Sequence, residues 1–275
     1  AMKRWMAFLL LSAGFAFSSR AMTADEQMQF ADGVFLRGLY DMAIPEYLNL
    51  IRDHPGSGQL DAAMFRLGES YRHTGNKSGA DRFYQRVVKE FPGSPFRFRA
   101  EFRRAELFVT GGQYLEAVSL FQTLVSAGPP ADILASAQYY LGYCLDKLRL
   151  QVEAEKAFLS VIQDHPESPF ASYACLALAE IYHRAGGREA ALRDLYEQAS
   201  EKPTTPRVGA EALYQQAELA FRERDYARSA QFYEQLISRY TDDYRVQEAL
   251  LRAAWSYHNA GHFADALELA ESKLK

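Results

Sequence analysis

Only two cysteines, Cys144 and Cys175, stand among the 275 residues. That is too few for a scaffold built on disulfides or for a zinc site of four thiolates. Asparagine is nearly as scarce, limited to Asn49, Asn76 and Asn259. No sign of charge dominates, since 31 Lys and Arg face 35 Asp and Glu for a formal charge of −4. The broad basic footprint that a nucleic-acid backbone demands is missing, and no nucleic-acid partner is expected. There is no His-Glu-x-x-His, no Gly-x-Ser-x-Gly and no Gly-x4-Gly-Lys run. Local signatures of zinc hydrolysis, serine hydrolysis and phosphate cradling are therefore absent, so no catalytic residue, no metal and no cofactor is expected. What the chain does have is apolar material. It is 48% hydrophobic with 13% aromatic and 24% charged residues, which excludes a disordered chain.

The longest apolar run, residues 5–17, has 13 residues and follows Lys3 and Arg4. Small residues close it at Ser18-Ser19-Arg20-Ala21. This is the pattern of a secretory leader cleaved after Ala21, and 13 residues fall well short of the roughly 20 needed to span a bilayer. Ala1 before Met2 reads as a residue left by expression, so residues 1–21 are set apart from the fold. No cysteine follows the small residues, so no lipid anchor is expected, and no transmembrane segment should remain after cleavage. The mature chain would carry 28 basic and 35 acidic residues, a charge of −7, and would reside in the periplasm or otherwise outside the cytoplasm.

Prolines recur at Pro55, Pro92, Pro129, Pro166 and Pro203, each 37 residues after the last. Other columns keep step. A small residue stands at Ala43, Ala80, Ala117, Ala154 and Ala191, resuming after a one-residue slip at Ser229 and Ala266. A second small column reads Ala31, Gly68, Ala105, Gly142, Ala179, Ala217 and Ala254. Bulky residues at Tyr47, Tyr84, Phe121, Phe158, Leu195 and Tyr233 complement them. A turn column holds Gly38, Gly75, Gly112, Arg149, Gly186, Arg224 and Gly261, where glycine suits the positive φ that ends a helix. Apolar spacing of three and four on both sides of that column predicts two helices per unit, closed by a proline link. The serines of Pro55-Gly56-Ser57, Pro92-Gly93-Ser94 and Pro166-Glu167-Ser168 are expected to cap the helix that follows. A fixed period of this length means stacked units that cannot fold singly.

Leu67-Gly68, Tyr71, Gly75, Ala80, Tyr84 and Pro92, repeated in Leu141-Gly142, Ala154, Phe158 and Pro166, resemble the tetratricopeptide repeat. The resemblance covers residues 22–275 in seven units starting near 24, 61, 98, 135, 172, 210 and 247, the last apparently cut short. It implies an all-α fold, a right-handed superhelical solenoid of helix-turn-helix units. The long link behind a leader is similar to the exported bacterial branch, which includes the cell-division coordinator of the Tol–Pal system and the repeat lipoprotein of the outer-membrane β-barrel assembly machine. Two departures separate the chain from those members. The first repeat leaves no room for the coordinator's coiled coil, and the lipid-accepting cysteine is missing.

By that resemblance the first helix of each unit lines a groove that holds a protein or peptide. Carried over by position, the groove stripe comprises Phe65, Arg66, Glu69, Arg72, Arg99, Phe102, Arg103, Glu106, Tyr139, Tyr140, Tyr143, Tyr173, Glu180, Arg184, Tyr214, Arg222, Arg252 and Trp255. Aromatic residues and arginine dominate interface energetics, and the second to fourth repeats are expected to make the main contact. A clamp for chaperone tails would need Asn and Lys on these faces and is not expected. His54 and His165 sit before Pro in two links, and His258 and His262 are separated by the turn at Gly261, so none is expected to bind metal. Cys144 and Cys175 differ by six places within the repeat, which argues for two buried thiols rather than a bridge.

The function these features imply is an exported, non-enzymatic scaffold for protein interactions in the cell envelope. The alternative is the superhelical arm of a larger cell-wall enzyme such as a lytic transglycosylase. A homo-oligomer formed through the uncapped last repeat is a third possibility.

Overall fold

A computed structural model describes residues 22–273; the expected leader and its cleavage site lie outside the described residues. Among the described residues there are fourteen helices and no strands. The described residues divide into two compact units, with the boundary between Arg97 and Phe98.

In the first unit, α1 (Ala24–Leu36) pairs with α2 (Tyr40–Asp53), and α3 (Leu60–His73) with α4 (Lys77–Glu90), each helix packing on the next. Local chemistry starts two of them. Thr23 and Glu26 form a reciprocal capping box at α1, and the Asn76 side chain accepts the Gly79 N–H at α4 at 2.9 Å. Small against large sets the packing. Ala31, Ala43, Ala63 and Ala80 are wholly buried around Tyr47, Tyr84, Leu50 and Leu67. A Cβ on Gly68 would lie 2.6 Å from the Tyr84 ring, so the glycine is what lets the ring in.

The second unit continues with α5 (Arg97–Thr110), α6 (Tyr114–Ser126), α7 (Ala131–Lys147), α8 (Gln151–Asp164), α9 (Ala171–Ala185) and α10 (Glu189–Glu201). It ends with α11 (Pro206–Arg222), α12 (Tyr226–Arg239), α13 (Val246–Ala260) and α14 (Phe263–Lys273). From α6 onward each helix packs on its successor, and α7 and α11 also touch α9. Its core repeats the same fit, with Phe121, Phe158 and Tyr233 buried beside Ala105, Ala117, Ala154, Ala217 and Ala230. Burying each such ring contributes about 1.5–3 kcal/mol. Ala191, Ala254 and Ala266 depart from their columns and are only partly buried. Cys144 and Cys175 are buried with free thiols. Burial pushes them up to about 12 and about 11, so both stay protonated and inert.

All seven turn positions have positive φ, between 63° and 81°, including Arg149 and Arg224 where glycine is replaced. The proline links differ from the expectation drawn above. Ser57, Ser94 and Ser168 do not cap the next helix; each accepts an N–H two residues on, from Gln59, Phe96 and Phe170, at 3.0–3.2 Å. The N-cap positions of α3 and α9 fall on Gln59 and Phe170 themselves, two residues beyond the serine. The serine therefore closes the turn within the link.

Candidate binding face on the odd-numbered helices

The stripe residues of the first unit sit together on α3. Arg66 pairs with Asp32 of α1 at 2.9 Å, and the same carboxylate accepts the Tyr47 hydroxyl of α2 at 2.7 Å. Thus a buried phenol, a carboxylate on the face and an arginine from the next repeat form one chain of contacts. Burial first, and then the bond to Asp32, pushes the Tyr47 hydroxyl well above the usual phenol range. Glu69 is buried, accepts the Tyr84 hydroxyl and pairs with Arg72 at 2.9 Å. Phe65 lies against Phe96 with ring centroids 5.1 Å apart. These side chains are engaged within the unit, with α1, α4 and the link before α5 as well as with α3 itself.

The same three-part arrangement recurs near the other end of the second unit. Tyr233 of α12 donates to Glu218 of α11, and Glu218 pairs with Arg252 of α13 at 3.0 Å. The Tyr233 hydroxyl is pushed up by burial and by that carboxylate. Tyr214 donates to Glu248 at 2.8 Å, and Trp255, 59% exposed, stacks on His258. Elsewhere the stripe is divided between packing and solvent. Arg99 is exposed, while Phe102 packs on Phe121 and Tyr140 with centroids 5.8 and 5.7 Å away. Arg103 pairs with Glu106 at 2.7 Å. Arg184 bridges Asp146 and Glu180, and Arg222 lies 3.3 Å from His183.

Between α7, α9, α10 and α11 the face opens into a cleft of about 430 Å³, within the size range of ligand sites. Tyr139, Tyr143 and Tyr173 of the stripe line it, with Leu176, Ala177, Glu180, His183, Tyr196, Glu211 and Gln215. Burial, ahead of the neighbouring phenols, pushes Tyr139 up to about 12, and burial also raises Tyr196, so both rings stay neutral. The cleft is centred on the fourth to sixth repeats, whereas the stripe was expected to make its main contact at the second to fourth. Sequence reasoning passed over Ala177 and Tyr196. Ala177 is small where other repeats are large, and Tyr196 stands one place beyond the bulky column at Leu195.

The sequence matches the tetratricopeptide-repeat family over residues 62–94, 102–172 and 211–243. No curated protein matches it. Among solved structures, a tetratricopeptide repeat protein from Parabacteroides merdae is similar at 18% identity and TM-score 0.59, over 90% of this chain and 99% of that one. The C-terminal part of a TPR repeat-containing protein from Cytophaga hutchinsonii is similar at 14% identity and TM-score 0.68, over 85% and 90%. PilW, a widely conserved type IV pilus biogenesis factor, is similar at 15% identity and TM-score 0.58, over 82% and 98%. At such identities the likeness is one of fold, and the repeat matches carry the family. The chain belongs to the tetratricopeptide-repeat family, whose members are generally non-catalytic scaffolds for protein–protein interaction.

Proposed function

We propose that the protein is an exported, non-enzymatic scaffold of the bacterial cell envelope, and that the odd-numbered helices of its second unit hold an extended peptide or a helix of another envelope protein. The observation that carries this reading is the tyrosine-walled cleft of about 430 Å³ opening on that face. Export is supported by the leader pattern of residues 3–21, and an envelope role by the likeness to a pilus biogenesis factor. Contacts spread along Tyr173, Tyr214, Arg222 and Trp255 would supply micromolar affinity, on the order of −8 kcal/mol.

A photo-crosslinking amino acid at position 173, in chains expressed with residues 2–21 intact or deleted, tests both halves. The expected result is a protein adduct from the periplasmic fraction that requires the leader and is not formed from position 156 on α8. Recovery of glycan alone would overturn the scaffold reading and favour an arm of a cell-wall enzyme. A chain found in the cytoplasm with its leader intact would overturn export.

A further inference from the structure

One column of the odd-numbered helices carries a long side chain in every repeat from the second to the seventh except the fifth. It reads Arg66, Arg103, Tyr140, Ala177, Gln215 and Arg252. Alanine at 177 removes the side chain that would otherwise fill the face, and Ala177 lies in the wall of the cleft. Tyrosine rings and carboxylates dominate what surrounds the gap, beside Leu176, Gln215 and His183, which Arg222 approaches at 3.3 Å. The rings of Tyr139 and Tyr173 stand with centroids 6.1 Å apart, Tyr143 lies beside them, and the carboxylates are Glu180 and Glu211. No lysine or arginine lines it.

The two carboxylates differ in how far they are engaged. Glu211 accepts from Gln215 at 2.9 Å and pairs with Arg245 behind it. Glu180 pairs with Arg184 at 3.1 Å, yet its side chain is 70% exposed. Fifteen residues after Glu180 the buried column holds Leu195, which has no hydroxyl to offer it, whereas Asp32, Glu69 and Glu218 each accept from a tyrosine at that spacing. Neutral phenol rings attract cations through their faces, and a carboxylate beside them strengthens the hold. An acidic side chain would be repelled, and a purely apolar one would cover the carboxylates and the hydroxyls without pairing them.

We propose that this cleft seats one lysine or arginine side chain of the protein partner, its cation against the tyrosine rings and its charge met chiefly by Glu180. The assignment rests on the odd-helix face being the protein-binding face.

A library of end-blocked nine-residue peptides, each with one fixed position, screened against the full chain, tests it, with affinities then measured by fluorescence polarisation. Selected peptides should carry Lys or Arg at one place, and acetylation of that lysine should weaken binding by about tenfold or more. Ala177→Arg should do the same, because it supplies the side chain that Arg66, Arg103 and Arg252 carry in the same column. Glu180→Gln, an exposed change that leaves the core untouched, should weaken binding a few-fold and provides the second readout if Ala177→Arg does not fold. Selection of acidic or purely aliphatic peptides, or affinity unchanged in both variants, would overturn the basic-residue assignment while leaving the binding face in place. Selection of no peptide at all would overturn the binding face, and this assignment with it.

Discussion

The repeats at residues 24–60 and 210–246 and the three at residues 98–209 use the same buried column in opposite ways. At Tyr47 and Tyr233 a phenol reaches the face, and a carboxylate fifteen residues earlier, Asp32 or Glu218, accepts its hydrogen bond. An arginine 34 residues beyond that carboxylate, Arg66 or Arg252, then balances the charge. At Phe121, Phe158 and Leu195 the column is equally buried but has no hydroxyl. The carboxylate and arginine places are then released, becoming Glu106 and Tyr140, Tyr143 and Ala177, and Glu180 and Gln215. A hydroxyl on this column thus ties the carboxylate beside it to the core; where the hydroxyl is missing, Glu106 and Glu180 pair instead with arginines of their own helices. A buried hydroxyl demands a partner, and a ring without one makes no such demand.

The largest effect expected from breaking this contrast is at Glu218. Glu218→Leu leaves the Tyr233 hydroxyl without its acceptor and should lower stability by about 1–3 kcal/mol in urea unfolding. Tyr233→Phe in the same chain should restore most of the loss, since removing both polar partners is nearly neutral. Glu180→Leu, over Leu195, should stay within about 0.5 kcal/mol; an equal loss there would end the distinction. Arg149 and Arg224 provide a smaller test, because one turn precedes Phe158 and the other Tyr233. Each holds a non-glycine residue at a φ of 63° or 64°. Replacement of either by glycine should raise stability by about 0.5–1 kcal/mol, the relief of left-handed strain less the entropy of glycine. Unequal gains in thermal melts would couple the turn to the class of repeat it serves.

The smallest effect is in alkaline titration. Tyr139 in the cleft is pushed up to about 12, by burial first and then by neighbouring phenols. An unfolded tyrosine ionises near pH 10, so this contribution to stability is complete below pH 10 and is lost as pH rises towards 12. Phenolate absorbance should show a step near pH 12, shared with Tyr214 and Tyr257, that Tyr139→Phe reduces by one phenol. The phenols of Tyr47 and Tyr233, raised by a carboxylate as well as by burial, should ionise after it.

Features confined to one helix or one turn were legible in the residues. The 37-residue period, the small columns and the turn column needed only local spacing, and the column placed Arg149 and Arg224 where other repeats carry glycine. The serines were misplaced because a shift of two residues in the helix start separates a capping side chain from one that closes the link, and start positions are weakly encoded. The phenol, carboxylate and arginine chain escaped notice because its spacings of 15 and 34 cross from helix to helix. The cleft was harder still. Its opening rests on a side chain that is missing at Ala177, and one wall comes from Tyr196 on an even-numbered helix, outside the stripe that position alone would select.

The one-residue slip after Pro203 falls between Glu180 and Gln215, where the spacing is 35 instead of 34, and by Glu218 and Arg252 the count is again 34. An array whose columns recover within a single repeat tolerates an insertion as readily as a substitution. Phase is then a heritable variable of its own. A residue added in a link shifts what stands opposite it by one place, while the helices on either side keep their own columns.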